Sequence, residues 1–213
     1  MKNIYRNSFY NLNKAKRILE KNQILALPTE TVYGLAGNAY SHKSVKRIYS
    51  LKKRPQKNPL IIHYYNLDLL KKDAEYDKNF LRLYKKFSPG PLTYILKKKK
   101  KSKVSKFANA KLKTIAVRFP KNKIIRSLLK KLTFPLAIPS ANISTGVSPT
   151  EPLDVVDEFK NKIKFILNGG KSLIGLESTV INLSSKPAIL RPGSISHTQI
   201  EKVLGKKVSN VTK

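Results

Sequence analysis

Hydroxyl and carboxyl side chains follow a short apolar run near the start of the chain. Residues 24–27 predict a buried strand, which Pro28 ends because proline cannot donate to a strand ladder. The polar residues that follow are Thr29, Glu30, Thr31 and Tyr33. Open α/β sheets bind ligands at strand ends, and Gly34 and Gly37 allow close backbone approach, so this turn is a candidate ligand site. A capped loop, or a short helix with Thr29 as its N-cap, is the alternative.

Cations and a histidine come next. Ser41 is a predicted N-cap, and apolar residues recur at helical spacing until Pro55 ends the helix. The cations of the last helical turn are Lys52, Lys53 and Arg54. A predicted strand over residues 60–62 then delivers His63. These side chains could clamp phosphate groups in one cleft; alternatively, the cations only complement the helix dipole in solvent.

Two further segments carry candidate ligand contacts. Residues 136–138 predict a buried strand that runs into Ser140 and Asn142, and the polar loop 145–150 could wrap a ligand. Residues 112–119 predict a strand whose alternation places Thr114 and Arg118 on one face. A lone arginine on a strand face is also an ordinary surface residue.

Composition bounds the kind of protein. The 213 residues are 40% hydrophobic, which suits one large or two small domains with a real core. The absence of Cys excludes disulfides and thiolate metal sites, and the three His are too scattered to suggest a zinc site. No apolar run approaches the roughly 20 residues of a membrane span, and no secretory signal is evident, so we expect a soluble cytoplasmic protein. P-loop, GxGxxG, GxSxG and HExxH motifs are absent.

The charge of the chain is strongly positive. A formal charge of +32 would ordinarily indicate a nucleic-acid partner, but the lysines are spread along the chain. We interpret the most basic run, residues 97–106, as a flexible solvated loop, with a nucleic-acid contact as the alternative. Only 8 of the 44 cationic residues are Arg, so a position that remains Arg is a candidate for a role that needs the planar guanidinium.

The order of buried strands, polar turns and amphipathic helices predicts a single α/β domain with a twisted mixed β-sheet flanked by helices. The predicted helices cover residues 13–21, 41–54, 66–72, 77–87, 122–132, 152–159 and 197–204. The predicted strands cover residues 23–27, 60–62, 92–96, 112–119, 136–138, 163–167 and 180–183.

Eight short motifs occur in an order that resembles the YrdC-like threonylcarbamoyl-AMP synthases. They are PTETVYGL, the Lys52-Lys53-Arg54 element, NPLIIH, TIAVR, PSAN, SPT, ESTV and LRPG, within residues 23 to 193. The resemblance implies one YrdC-like catalytic domain over residues 1–213 with a concave basic cavity, residues 194–213 forming a C-terminal helix and tail. It also implies the short form of the family, without the additional C-terminal domain of longer members.

The resemblance implies an enzyme, a nucleotidyltransferase that joins L-threonine, bicarbonate and ATP into L-threonylcarbamoyladenylate and releases pyrophosphate. That product serves threonylcarbamoyl-adenosine modification of tRNA, so the implied partners are downstream tRNA threonylcarbamoyl-transfer proteins, with weak RNA binding possible and no membrane partner. Mg²⁺ is expected on the ATP phosphates. The alternative is an RNA-binding module that uses the basic cavity without turnover.

The resemblance also implies roles for individual residues. Lys52 and Arg54 correspond to catalytic positions, and no protein ligand to a metal is implied. The implied threonine site comprises Thr31, His63, Arg118, Ile138 and Ser178, with Arg118 pairing the carboxylate bidentately. The implied ATP contacts are Arg54, Asn58, Thr114, Ser140, Asn142, Ser148 and Arg191. No general base is evident, so catalysis is expected to depend mainly on positioning.

Overall fold

The computed structural model describes residues 3–210, within which the chain forms twelve β-strands and seven α-helices. The strands are β1 (Ile4–Arg6), β2 (Leu25–Pro28), β3 (Tyr33–Asn38), β4 (Ile61–His63), β5 (Ala74–Glu75), β6 (Leu92–Lys98), β7 (Thr114–Arg118), β8 (Leu136–Ala137), β9 (Ile166–Asn168), β10 (Thr179–Asn182), β11 (Ala188–Arg191) and β12 (Ser209–Asn210). The helices are α1 (Phe9–Glu20), α2 (His42–Lys52), α3 (Leu67–Leu70), α4 (Lys78–Phe87), α5 (Lys123–Lys130), α6 (Pro152–Phe159) and α7 (His197–Leu204).

One mixed sheet organises the fold. Its strand order is β1-β9-β2-β3-β8-β4-β7-β6-β10-β11-β12, and β5 pairs with β6. Helices α1 and α5 contribute to the core on one side, while α2, α4, α6 and α7 contribute to a second apolar cluster. The predicted α/β fold with a mixed sheet flanked by helices is therefore confirmed. No helix within residues 3–210 is long and apolar enough to cross a membrane.

The polar turn after β2 leads into a strand that sequence periodicity missed. Thr29 is not a helix N-cap: its Oγ1 accepts the Val32 N–H at 3.1 Å and donates to the Val32 carbonyl at 2.6 Å, which closes a hairpin turn. The small residues of β3 show no clear alternation of apolar and polar side chains, so the sequence did not predict this strand. Gly34 in β3 faces the segment after β8, where a Cβ would lie 2.3 Å from Ile138 Cγ2, so only glycine fits this close approach.

The predicted α2 is confirmed, with Ser41 as its N-cap, but it ends earlier than predicted and leaves Arg54 outside the helix. Ser41 Oγ accepts the Ser44 N–H at 3.2 Å, and the helix ends at Lys53, whose φ of 49° is left-handed. Helix α1 begins earlier than predicted because Ser8 caps it. The short strands β1 and β11 were not predicted.

The interpretation of residues 97–106 as a solvated loop throughout is wrong. Lys97 belongs to β6, and the segment that follows is fixed to a buried carboxylate, Asp73. Asp73 Oδ1 accepts hydrogen bonds from Ser102 Oγ at 2.7 Å and from the Lys103 N–H at 3.1 Å. Its Oδ2 accepts bonds from the Tyr40 and Tyr64 hydroxyls at 2.8 and 3.0 Å. Part of the segment 97–106 therefore packs against the core.

Asp73→Asn tests this anchor. The amide cannot accept all four hydrogen bonds, and bonds to charged groups each contribute about 1.5–3 kcal/mol, so we expect a melting temperature lower by roughly 3–12 °C. The control is Asp68→Asn, which removes an exposed carboxylate 3.3 Å from Lys71 and should shift melting little. Equal melting temperatures for the two variants, measured by calorimetry, would contradict the anchoring role.

Candidate functional site

A cavity of about 80 Å³ that opens to solvent lies where the carboxyl ends of β4 and β7 meet the turns after β2 and β8. His63 and Arg118 are paired in register at the ends of these two parallel strands, so both side chains reach the cavity. The lining residues are Thr29, Thr31, Val32, Tyr33, Gly34, Arg54, Pro59, Leu60, Ile61, His63, Arg118, Ile138, Pro139, Ser140, Glu177, Ser178 and Arg191.

Arg118 is held in a buried ion pair. Its Nη2 donates to Glu30 Oε1 at 2.7 Å, with 5% of the arginine side chain and 7% of the glutamate side chain exposed. Its Nε lies 3.4 Å from the Gly90 carbonyl. The Nη1 group makes no hydrogen bond to a residue within the described part of the chain. Two of the three guanidinium nitrogens therefore already have protein partners, and Nη1 is left for a ligand.

His63 presents an acceptor to the cavity. Its Nδ1 lies 3.2 Å from the Ile61 carbonyl, which can only accept, so Nδ1 carries the proton. Its buried Nε2 has no hydrogen-bond partner among the described residues. Burial, and then the nearby Arg118, lower the pKa of His63 well below its usual value, so the ring is neutral. Nε2 can therefore accept a hydrogen bond from a ligand N–H or O–H.

Arg191 and Ser178 line another part of the cavity and contact each other. Arg191 donates to the Ser178 carbonyl from Nε at 3.0 Å and from Nη2 at 2.9 Å, and Nη2 also lies 3.1 Å from Ser178 Oγ. Its Nη1 pairs with Glu177, which Ser148 Oγ also contacts at 3.3 Å. Ser178 Oγ lies 2.8 Å from Thr93 Oγ1. The Glu177 carboxylate thus occupies the Nη1 group of this guanidinium.

The three cations at the end of α2 have different surroundings. Lys52 is buried, and its Nζ donates to the carbonyls of Ser140, at 2.6 Å, and Asn142. Burial and the adjacent Arg54 lower the pKa of Lys52 to about 8, although Glu177 and Glu158 act in the opposite direction. Lys53 is exposed, as expected for a residue that points away from the cleft.

Arg54 lines the cavity and bonds only to backbone. Its Nε donates to the Asn58 carbonyl at 3.1 Å and its Nη2 to the Pro59 carbonyl at 3.1 Å. No carboxylate within residues 3–210 forms an ion pair with it. Its positive charge is therefore available to an anion in the cavity.

Eight of the sequence-predicted site residues line this cavity. They are Thr31, Arg54, His63, Arg118, Ile138, Ser140, Ser178 and Arg191. Three others contact lining residues or sit beside them: Lys52 through the Ser140 carbonyl, Ser148 through Glu177, and Asn142 two positions after Ser140. The Asn142 amide donates to the Ile143 and Gly146 carbonyls, both at 2.7 Å, and so shapes the loop.

The structure places Asn58 and Thr114 outside this lining. Thr114 shares a strand face with Arg118, but four residues of strand separate them, a distance of about 13 Å. It lines a separate groove with Lys97 and Lys113. Asn58 is exposed and serves Arg54 through its backbone carbonyl. A contact from Thr114 to a ligand in the cavity therefore requires a long ligand that extends along β7.

Sequence reasoning placed Glu30 in a candidate ligand-binding turn but gave it no role, and it left out Glu177 as a site residue. Both pair with arginines of the cavity. The small number of acidic residues could have identified both as site residues. Only 12 of the 213 residues are Asp or Glu, and these two lie in polar segments next to strands. No group of three or more His, Asp or Glu within the described residues could hold a metal ion.

A family model described as "Telomere recombination", the Sua5/YciO/YrdC model, matches residues 17–193. The threonylcarbamoyl-AMP synthase of Pyrococcus abyssi is 43% identical over 195 residues, covering 90% of this chain and 56% of the relative. The threonylcarbamoyl-AMP synthase of Bacillus subtilis is 40% identical over 194 residues, with the same coverage of 90% and 56%.

A solved structure, P. abyssi Sua5 complexed with L-threonine, matches with a TM-score of 0.91 at 40% identity and covers 98% of this chain and 62% of the other. The chain thus spans little more than half the length of these relatives. The matched model covers most of the chain, residues 17–193 of 213. The chain therefore belongs to the Sua5/YciO/YrdC family.

Proposed function

We propose that this chain is a threonylcarbamoyl-AMP synthase, which forms L-threonylcarbamoyladenylate and pyrophosphate from L-threonine, bicarbonate and ATP. The observation that carries the proposal is a cavity that combines three arginines, Arg54, Arg118 and Arg191, with an acceptor on His63. Arg118 and His63 lie side by side at the ends of two paired strands, which we call the Arg118 end, and Arg54 follows α2, which we call the Arg54 end. Relatives at 40–43% identity bear the name of this activity, and one related structure binds L-threonine.

The Arg118 end suits an amino acid. Nη1 of Arg118 can donate to the carboxylate, and His63 Nε2 can accept from the ammonium or the hydroxyl. Because Nη2 is already bonded to Glu30, the expected bidentate pairing must use Nη1 together with the remaining N–H of Nη2. Thr31 and Ser178 supply hydroxyls nearby.

The Arg54 end suits phosphates. Arg54 has no ion-pair partner among the described residues, and Lys52 lies directly behind Ser140. The protein offers Mg²⁺ no cluster of three ligands within residues 3–210, so the residues do not form a dedicated metal site. We propose that Mg²⁺ arrives with ATP, held by its phosphates, and we assign no protein step to it.

The reaction requires two new bonds. The threonine nitrogen bonds to the bicarbonate carbon with loss of water, and a carboxyl oxygen of the resulting carbamate bonds to the α-phosphorus as pyrophosphate leaves. The contribution of the protein is to hold several anions at reacting distance, which offsets the entropy of assembly, and to balance charge on the leaving pyrophosphate. Neutral His63 is too buried to exchange protons readily with solvent, which favours positioning over general-base catalysis.

An RNA-binding module is not favoured. Among the described residues of the lining, Tyr33 is the sole Tyr, Phe or Trp, and its hydroxyl is bonded at 2.8 Å to the Gly170 carbonyl inside the protein. The cavity therefore lacks the exposed aromatic platforms on which bases stack. We propose a cytoplasmic role in tRNA modification, with the product passed to tRNA threonylcarbamoyl-transfer proteins. Mass spectrometry of product formed with ATP, threonine and bicarbonate tests the activity; no product, with each substrate supplied, would contradict it.

Arg118→Lys should impair threonine use more than ATP use. An ammonium keeps the charge but cannot reach Glu30, Gly90 and a ligand together as the planar guanidinium does. Loss of one charge-assisted hydrogen bond of about 1.5–3 kcal/mol corresponds to a KM for threonine roughly ten- to a hundredfold higher. Titrations of both substrates measure the effect. An unchanged KM for threonine would remove Arg118 from the site.

Arg54→Ala should lower turnover by roughly ten- to a hundredfold while the fold survives, because it removes a charge-assisted phosphate contact. Lys53→Ala is the matched control: Lys53 adjoins Arg54 but is exposed, so its variant should remain close to the parent. Pyrophosphate release, ATP binding and melting temperature are measured on both. Small, equal effects would identify the cations only as a solvated helix end.

Lys52 predicts a pH dependence. Its pKa of about 8 lies below the usual value for lysine, so the ammonium is present below pH 8 and is lost as the pH rises through that value. If the Lys52 ammonium holds the segment of Ser140 and Asn142 and faces phosphates, kcat/KM for ATP should fall above about pH 8. Bound phosphates favour the protonated form of Lys52, so the pH at which kcat falls should be higher. Lys52→Arg keeps its charge and should lack this inflection. A flat parent profile from pH 7 to 10 would contradict the role.

A further inference from the structure

We propose that Glu30 is a specificity-determining residue that balances the charge of Arg118, so that the Arg118 end of the cavity accepts a zwitterion and rejects phosphates. The inference rests on the proposed function only for the identity of the zwitterion, threonine. It assigns a task to a residue that touches no expected substrate atom and acts through Arg118.

The position of Glu30 is fixed from three directions. Oε1 accepts from Arg118 Nη2 at 2.7 Å. Oε2 accepts from the N–H groups of Lys121 and Asn122, at 2.9 and 3.2 Å, just before α5. The Glu30 carbonyl accepts from the Ile174 N–H at 3.0 Å. The carboxylate therefore cannot swing away when a ligand arrives at Arg118.

Glu30 is ionised at neutral pH. Burial alone would raise the pKa of this carboxyl, but the charge and hydrogen bond of Arg118 and the backbone donors lower it below its usual value. The Glu30–Arg118 pair thus has no net charge. A ligand that brings only negative charge to Nη1 creates a buried excess of negative charge, whereas a ligand that also carries an ammonium does not.

The other arginines of the cavity differ in this respect. Arg54 bonds to two backbone carbonyls and keeps its full charge. Arg191 pairs with Glu177, but 35% and 38% of these side chains are exposed, so solvent screens the pair and Glu177 can be displaced. We therefore expect phosphates to bind at Arg54 and Arg191 and the zwitterion to bind at Arg118.

The test compares the parent with Glu30→Gln by calorimetric binding of three probes: L-threonine, (R)-3-hydroxybutyrate, which is threonine without its amino group, and inorganic pyrophosphate. In the parent, threonine should bind at least tenfold more tightly than 3-hydroxybutyrate, and pyrophosphate should compete with ATP but not with threonine. In Glu30→Gln, the preference for threonine should fall at least tenfold and pyrophosphate should begin to compete with threonine.

Two further variants separate charge from packing. Glu30→Asp retains the charge and should retain the preference for threonine even where both ligands bind more weakly. Asp73→Asn removes a buried carboxylate elsewhere and should leave the preference as in the parent. Equal weakening of all three probes in Glu30→Gln, with the preference intact, would reduce Glu30 to a structural residue and overturn the proposal.

Binding measurements on the parent protein alone also test the proposal. Should Glu30→Gln fail to fold, competition of pyrophosphate or 3-hydroxybutyrate with threonine in the parent would overturn the proposal, and rejection of both would support it. Product formation is assayed separately. A parent that binds zwitterions selectively but forms no threonylcarbamoyladenylate would contradict the proposed function and leave the inference about Glu30 standing.

Discussion

The buried ion pair between Glu30 and Arg118 is the constraint on which the site depends. Two charges with little exposure to water carry a large desolvation cost, which only close pairing and complete hydrogen bonding offset. Meeting that requirement brings the turn after β2, the end of β7 and the entry to α5 to one point. The cavity is the space that this convergence leaves on the far side of Arg118.

A second constraint shapes the opposite end. Lys52 is as deeply buried as the ion pair, yet its partners are backbone carbonyls of the segment after β8. Carbonyl dipoles hold an ammonium without cancelling its charge. The two buried cations therefore differ in kind: a carboxylate neutralises the charge of Arg118, whereas no carboxylate pairs with Lys52 among the described residues. A single cavity can in this way sort ligands by charge.

Local patterns predicted most of the elements but not the contacts between them. Ser41 and Pro55 bounded α2 because caps and proline act within a few residues, whereas β3 escaped because its small residues lack alternation. The scarcity of Arg correctly drew attention to Arg54, Arg118 and Arg191, which all reach the cavity. The partner of Arg118 lies 88 residues away in sequence, and no periodicity encodes such a pairing. Thr114 shows a second limit of local patterns. It shares a strand face with Arg118, but it does not lie close to Arg118 or line the cavity.

The contact between Arg191 and Glu177 has a consequence for release. An anion that binds Nη1 of Arg191 must replace Glu177, so under the proposed function a phosphate at this guanidinium is exchanged for a carboxylate. The gain in binding free energy is the difference between two similar contacts. It is therefore smaller than the gain from binding an anion to an unpaired guanidinium. Under the proposed function, Glu177 therefore competes with pyrophosphate for Arg191, so the product is held less tightly than its charge alone would dictate.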